Sequence, residues 1–239
     1  LRDSKWSDGE PVVAADFEYA WKRALDPATA AGYAYQMYYL LNGQKANAGE
    51  VSVDEIGVKA LDEKTLEVKL ESPTPYFLQL TAFPCYFPVR KDIVEADPEG
   101  WALNPETYIS NGPFTMTEWT HNDVLRLVKN ENYYDAENVK IEEIEYVMIV
   151  EGSTAFSAFQ SGEVANFNIF PYIGTYFYCF NMNADLMKDV KVREALSLAI
   201  DREAIVTNVT KGGQKPANGF VSEGIATSTG ESFRTFAGD

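Results

Sequence analysis

The chain has 239 residues, of which 46% are hydrophobic and 23% charged, so it is long enough for one or two domains with a sizeable core. Its formal net charge of -16 argues against nucleic acid or an anionic membrane as a partner, because both repel an acidic surface. No apolar run approaches the length of a membrane span. The cysteines Cys85 and Cys179 do not make a disulfide framework, and we expect both to be free and buried.

The first stretch of the chain, residues 1–23, predicts a tight turn followed by an amphipathic helix. Gly9 follows Ser7 and Asp8 and can take the positive φ that such a turn often needs. The apolar residues that then recur at the i, i+3, i+4 and i+7 spacing of one helix face are Phe17, Ala20, Trp21 and Ala24. Acidic residues near the start of this helix and basic residues near its end match the helix dipole.

This stretch also resembles a sequence block of the oligopeptide-binding proteins of ABC importers, K-W-S-D-G-x-P-V-T-A-x-D-F-x-Y-A-W-K-R. Residues 5–23 follow the block in order. They depart from it at residues 13–15, which read Val-Ala-Ala where the family has threonine and alanine followed by a polar residue. The departure removes a possible capping hydroxyl from the start of the helix.

A second helix is predicted for residues 28–40, after the break that Asp26 and Pro27 introduce. Its tyrosines are too many for one buried face. They either pack with their hydroxyls at the surface or include one that lines a ligand cleft. Residues 28–34 resemble the family segment N-T-A-S-P-Y-A, whose tyrosine borders the peptide site. The resemblance therefore implies a ligand-binding role for Tyr33.

The middle of the chain predicts mainly β-structure. Apolar and polar residues alternate over 56–61 and 65–70, which indicates a β-hairpin. We place a lobe boundary near Arg90, where the composition becomes polar. The elements predicted beyond it are strands at 114–119, 124–128 and 141–150 and a helix at 153–160. Residues 108–114 and 130–134 resemble further blocks of the same family.

The chain departs from the family pattern after Val164. The family has a further helix before its next strand, whereas this chain goes almost directly from Asn166 to the aromatic run that begins at Phe167. A segment on the order of one helix with its flanking loops is therefore missing relative to that pattern. Asn166, which the resemblance adds to the ligand-binding set, lies at this junction.

An aromatic strand is predicted for residues 171–181, and strict alternation would put Tyr176 and Phe177 on opposite sides of it. The run resembles the family strand G-T-Y-Y-Y-x-F-N, which implies ligand-binding roles for Tyr176 and Phe177. Residues 189–202 then predict a helix, and they match the family motif D-V-R-V-R-x-A-L-x-x-A-I-D-R.

The sequence offers little catalytic or metal-binding chemistry. His121 is the only histidine, and its place in a predicted hairpin turn favours solvent exposure over a catalytic or metal site. With 36 acidic residues, adjacent carboxylates such as Glu142 and Glu143 are expected on a solvated face. No glycine-rich phosphate loop follows a predicted strand. We therefore predict no enzyme, no cofactor and no metal.

The resemblance implies an α/β, periplasmic-binding-protein-like fold, multi-lobed and built as two halves that close on a ligand like a Venus flytrap. This chain would be an internal, incomplete portion of it. Residues 1–90 would form the second lobe, an inserted α/β subdomain. Residues 91–170 would form the middle part of the first lobe, and residues 171–239 the start of the third. The family residue that holds the peptide amino group, and most of those that bind its carboxylate, would lie beyond Asp239.

The function implied by the resemblance is the solute-binding component of an ABC importer, which captures oligopeptides and delivers them to a membrane permease. Its partners would be an oligopeptide ligand and the ABC transporter permease subunits, and not nucleic acid. It would act in the periplasm or on the extracellular face of the membrane, held there only by a lipid anchor outside this stretch.

Two alternatives to this function stay open. One is a receptor of the same fold for an oligosaccharide, nickel or a signalling peptide, although a single exposed His121 argues against nickel. The other is a hydrolase that uses a pair of carboxylates, as glycosidases do.

Overall fold

The computed structural model describes residues 1–162, 172–222, 224–227 and 229–232. The chain forms two compact units, Leu1–Ala155 and Phe156–Asp239, and each is described by itself. The lobe boundaries predicted near residues 90 and 170 stay predictions.

The regular elements begin with α1 and alternate between short helices and strands. They are α1 (Ala14–Leu25), α2 (Gly43–Asn47), β1 (Val58–Ala60), β2 (Leu66–Val68), α3 (Phe77–Leu80), α4 (Lys91–Ala96), β3 (Phe114–Thr120), β4 (Val124–Lys129), β5 (Glu143–Val147), α5 (Gly152–Ser161), α6 (Asp185–Lys188), α7 (Val190–Leu198) and α8 (Arg202–Ala204). Short 3-10 turns lie at Pro27–Thr29, Ala34–Met37, Val53–Glu55, Pro84–Tyr86 and Ala136–Asn138, and a π-helical turn at Ile205–Thr210.

The predicted turn and first helix are confirmed. Gly9 has a φ of 94°, and its N–H donates to the Trp6 carbonyl oxygen at 2.9 Å. The buried carboxylate of Asp16 accepts the Trp6 indole N–H at 3.1 Å and the Val13 N–H at 3.0 Å. Asp16 thus satisfies a backbone donor at the helix start, where the missing threonine hydroxyl leaves no cap.

The core of the first unit gathers around Trp21, which is 3% exposed. The Trp21 ring meets the Tyr86 ring edge to face at 5.1 Å and the Phe77 ring at 6.5 Å. The Trp21 indole N–H donates to the Tyr86 carbonyl oxygen at 2.8 Å, so its polar atom is satisfied inside the core. The buried members of this cluster are Ala20, Trp21, Leu25, Ala34, Met37, Leu40, Ala46, Ile56, Val58 and Tyr86.

The single helix predicted for residues 28–40 is wrong. This stretch forms the separate 3-10 turns at Pro27–Thr29 and Ala34–Met37. Ala30 lies between them with a φ of 50°, a left-handed conformation that ends a right-handed helix. The break lets Met37 enter the core, where it is fully buried.

The predicted β-hairpin is confirmed, with β1 and β2 antiparallel and Val58 opposite Val68. The Glu18 carboxylate of α1 accepts the Ala60 N–H at 2.7 Å, which links the hairpin to α1. Lys22 pairs with Glu18 at 2.7 Å and with Asp54 at 3.1 Å.

The three predicted strands after residue 113 are also confirmed. They form an antiparallel sheet in the order β3-β4-β5, with a register shift between Met116 and Glu118. The predicted helix that follows is α5. On this sheet, Arg126 pairs with Glu118 and with Glu145, each at 2.7 Å.

Hydrogen bonds join the first turn to the segment that precedes this sheet and to the loop between β4 and β5. The Ser7 N–H donates to the Ser110 carbonyl oxygen at 2.7 Å. The Asn132 side-chain amide donates to the Ser7 carbonyl oxygen at 3.0 Å. Arg90 adds an ion pair to Asp8 at 2.8 Å. These contacts connect segments far apart in sequence within the first unit.

The second unit departs from one prediction and agrees with another. The predicted helix at 189–202 is confirmed over residues 190–198 as α7, whereas Arg202 begins the separate helix α8. The Asp189 carboxylate accepts the Lys191 N–H at the start of α7 at 2.9 Å. The predicted strand at 171–181 is wrong over residues 172–181, which form no regular element. A strand needs a neighbour to hydrogen-bond its backbone, and none of the described residues pairs with this segment.

Both cysteines are free, as predicted, but only Cys85 is partly buried, whereas Cys179 is exposed. The expectation of burial is therefore wrong for Cys179, because no paired strand covers its segment. Within the part of the chain that the structure describes, no helix combines the length and apolar character needed to cross a membrane.

Replacing Gly57 by alanine should destabilise the first unit. A Cβ at Gly57 would lie 2.4 Å from the Lys69 carbonyl oxygen and 2.8 Å from the Leu41 Cβ. We expect the free energy of unfolding in urea to fall by about 1 to 3 kcal/mol, the usual cost of overpacking. Gly32→Ala is the matched control, because its Cβ would meet no atom within 4 Å. Equal stability of the two variants would contradict this packing.

The Glu18 carboxylate should make stability depend on pH. Partial burial opposes its ionised form, but the Ala60 N–H and Lys22 outweigh burial and hold the Glu18 pKa below its ordinary value of 4.5. Its stabilisation is therefore present above pH 4.5 and is lost as the pH falls through the lower folded pKa. The Tm advantage of the wild type over Glu18→Gln should shrink on acidification across that range. Glu50→Gln controls for loss of one exposed carboxylate. A Tm difference between the wild type and Glu18→Gln that does not change with pH would refute the lowered pKa of Glu18.

Candidate ligand-binding site

Tyr33 lies at the start of the 3-10 turn Ala34–Met37, and 59% of its surface is exposed. Its ring meets the Phe83 ring at 5.3 Å, edge to face, and lies 6.1 Å from the Tyr35 ring. An aromatic residue this exposed is held in place by its aromatic neighbours while one side stays accessible. Tyr33 is therefore available to a ligand.

Tyr33 borders an open groove of about 530 Å³, which we call the Tyr33 groove. The end of α1, the Pro27–Thr29 turn and residues 83–89 form its walls. The lining residues are Ala20, Arg23, Ala24, Thr29, Ala31, Gly32, Tyr33, Phe83, Pro84, Cys85, Phe87 and Val89. A mostly apolar groove of this size, with a few polar groups, is typical of small-ligand sites.

The walls of the groove are fixed by the core beneath them. The Tyr86 hydroxyl donates to the Gln36 carbonyl oxygen at 2.9 Å, which ties the segment carrying Phe83 and Phe87 to the segment carrying Tyr33. Gly32 leaves open space on its side of the groove, because a Cβ there would meet no atom within 4 Å. The groove thus has walls that are joined by hydrogen bonding beneath it, and it is open to solvent at Gly32.

The thiol of Cys85 lies in the groove and is a candidate nucleophile, a role that its sequence context does not indicate. Burial raises the pKa of its thiol above the ordinary value of 9.0. The thiol is therefore neutral near pH 7, and a neutral thiol is a poor nucleophile. Cys85 is therefore a weak candidate for a catalytic nucleophile.

The other predicted ligand-binding residues lie elsewhere in the chain. Tyr176 and Phe177 belong to the second unit, where they are 86% and 53% exposed. Phe177 meets the Phe220 ring edge to face at 4.9 Å, and Tyr176 meets the Tyr178 ring at 5.6 Å. Asn166 lies outside the described residues.

Arg23, Phe83 and Phe87 line the groove beside Tyr33, and the sequence analysis assigns none of them to a site. Phe83 precedes the proline-rich stretch from Pro84 to Pro88, and Phe87 lies within it. Aromatic residues interleaved with prolines were a usable signal, because such residues cannot all be buried in a helix or strand.

No catalytic or metal centre stands out beside this groove. His121 is exposed in the turn between β3 and β4, where its ring lies 4.2 Å from that of Trp119. Among the described residues, no group of three or more His, Cys, Asp or Glu side chains could hold a metal ion.

Residues 1–236 match the family described as "Bacterial extracellular solute-binding proteins, family 5 Middle". The chain belongs to this family. The resemblance noted from its sequence blocks is thereby confirmed, and the match covers nearly the whole chain.

Two similar relatives are peptide-binding proteins by name. The dipeptide-binding protein DppE of Bacillus subtilis is 39% identical over 253 residues, which cover 99% of this chain and 46% of DppE. The oligopeptide-binding protein OppA of Bacillus subtilis is 42% identical over 240 residues, covering 91% of this chain and 44% of OppA. The chain thus spans about half the length of these relatives.

Since the DppE alignment is longer than the 239-residue chain, DppE has residues without a counterpart here. That the residues missing from this chain belong after Val164, as expected from the family pattern, stays a prediction.

Solved structures agree with the family assignment. The substrate-binding domain of an oligopeptide ABC transporter from Bacillus anthracis matches with a TM-score of 0.80 at 34% identity, over 100% of this chain and 51% of that one. OppA of Listeria monocytogenes bound to peptide matches with a TM-score of 0.77 at 32% identity, over 97% and 50%. The predicted α/β, periplasmic-binding-protein-like fold is confirmed for the portion that this chain spans.

Proposed function

We propose that this chain is part of the solute-binding component of an ABC importer, which captures oligopeptides and delivers them to a membrane permease. The observation that carries the proposal is the open, aromatic Tyr33 groove in a chain of the solute-binding family. The names of two relatives, a dipeptide-binding and an oligopeptide-binding protein, support a peptide as the solute. In this proposal the protein binds and releases its ligand without chemistry.

A peptide suits the groove physically. An extended peptide gains affinity from main-chain hydrogen bonds, which do not depend on its sequence. Its side chains then need roomy pockets, where bridging waters can replace fixed partners. The Tyr33 groove would accept one such side chain against the rings of Tyr33, Phe83 and Phe87. Tyr176, Phe177 and Asn166 stay proposed ligand contacts on the basis of the family resemblance.

The cellular setting is part of the same proposal. The family name, which describes extracellular proteins, supports a setting outside the cytoplasm, and the permease subunits of an ABC transporter would be the partners. We propose that the protein works in the periplasm or on the extracellular face of the membrane. A lipid anchor outside this stretch would hold it there.

Filling the groove should weaken peptide binding. In Gly32→Phe, the new ring would occupy open space at the groove without a clash at Cβ. Native mass spectrometry with a mixture of tripeptides to pentapeptides should show peptide bound to the purified protein, with about tenfold weaker binding by the variant. Gly152→Phe, whose Cβ also meets no atom within 4 Å, adds the same ring outside the groove and should bind like the wild type.

Two results would contradict the proposal in different ways. Absence of any bound peptide in the wild type would refute peptide capture itself. Equal binding by Gly32→Phe and the wild type would leave peptide capture standing but remove the Tyr33 groove from the site.

A further inference from the structure

Arg23 is a cation of the Tyr33 groove without a protein partner among the described residues. It lies in the last turn of α1 and is partly buried. No described side chain or carbonyl forms an ion pair or hydrogen bond with its guanidinium group. The neighbouring Lys22, in contrast, is held by Glu18 at 2.7 Å and by Asp54 at 3.1 Å.

The composition of the groove makes this cation unusual. The chain carries 36 acidic residues and a net charge of -16, yet none of the twelve residues that line the groove is acidic. The wall beside Arg23 consists instead of alanines and of the rings of Tyr33, Phe83 and Phe87. The groove therefore combines an apolar wall with one positive charge and no acidic residue in its lining.

The other charges near Arg23 form no ion pair with it. Arg23 also borders a second groove, of about 520 Å³, whose lining includes the acidic residues Glu18, Asp26, Asp54 and Glu95. Lys22 pairs with Glu18 and Asp54, and Lys91 pairs with Glu95 at 3.7 Å. The Asp26 carboxylate is engaged by the Ala28 N–H at 2.9 Å and forms no ion pair with Arg23. A guanidinium group offers a fork of N–H donors that matches a carboxylate, and partial burial strengthens such a pair.

We propose that the Tyr33 groove binds an apolar or aromatic residue of a peptide that carries a carboxylate beside it, and that Arg23 pairs with this carboxylate. The inference rests on the proposed function, and it assigns that function a substrate preference. The carboxylate can belong to the C-terminus of the peptide or to the side chain of an adjacent acidic residue. Arg23 then acts as a specificity determinant in addition to the carboxylate-binding residues that the family resemblance places beyond Asp239.

The experiment compares three probe peptides by isothermal titration calorimetry on the purified full chain. They are Ala-Ala-Phe with a free carboxylate, its C-terminal amide, and the amide of Ala-Glu-Phe. We expect the wild type to bind at least one carboxylate-bearing probe about tenfold more tightly than the amide of Ala-Ala-Phe. A preference for the first probe identifies the C-terminus as the partner, and a preference for the third identifies an acidic side chain.

The variants isolate the role of Arg23. Arg23→Gln should abolish the preference for a carboxylate, and Arg23→Lys should restore part of it, because lysine keeps the charge but not the fork. Lys45→Gln removes one positive charge from an exposed helix position outside the lining of the groove and should keep the full preference. Thermal unfolding of each variant checks that it is folded, and Arg23→Lys keeps the test valid if Arg23→Gln does not fold.

The outcomes separate this inference from the proposed function. Equal affinity of the wild type for all three probes, or a preference that survives in Arg23→Gln, would overturn the inference while peptide capture stands. The inference is also overturned, and peptide capture still stands, if the protein binds the mixture of tripeptides to pentapeptides but none of the three probes. If the mixture also fails to bind, the proposed function falls, and the inference falls with it.

Discussion

The candidate site depends on the buried contact between Trp21 and Tyr86. These residues are 65 positions apart, and the 2.8 Å hydrogen bond between the Trp21 indole N–H and the Tyr86 carbonyl oxygen joins α1 to the segment at 83–89. The edge-to-face packing of their rings fills the core under the groove. Because the Tyr86 hydroxyl also donates to the Gln36 carbonyl oxygen, one residue joins three segments through its backbone carbonyl and its side chain. Loss of this contact would therefore separate the walls of the Tyr33 groove as well as open the core.

The surface above this core differs from the rest of the chain in its charge. Elsewhere in the first unit, several basic side chains form ion pairs, as Arg90 does with Asp8 and Arg126 does with Glu145. At the groove, aromatic rings face an accessible space and Arg23 has no acidic neighbour in the lining. Apolar walls favour side-chain burial, and a cation without a protein partner favours an anionic ligand. Binding of a peptide would satisfy both features at once.

Local patterns were enough to predict much of the fold but little of the site. Hydrophobic spacing predicted α1, and alternation predicted the β1–β2 hairpin, because each pattern reflects contacts made within one element. The prediction of one helix over 28–40 was wrong because Ala30 takes a left-handed φ of 50°. Alanine favours helices, so the residue type does not indicate this conformation. The strand at 172–181 failed because a strand also requires a neighbour. Tyr33 was found through family resemblance, whereas Phe83 joins it only through packing across 50 positions of chain.

The most direct test of the account is the protection of Cys85 by a bound peptide. In a Cys179→Ser background, Cys85 is the remaining thiol, and it lines the Tyr33 groove. Its alkylation by iodoacetamide can be timed by mass spectrometry with and without a saturating peptide from the tripeptide to pentapeptide mixture. The account predicts that the bound peptide slows alkylation severalfold. An unchanged rate, under conditions where calorimetry confirms that the peptide is bound, would place the ligand elsewhere and contradict the account.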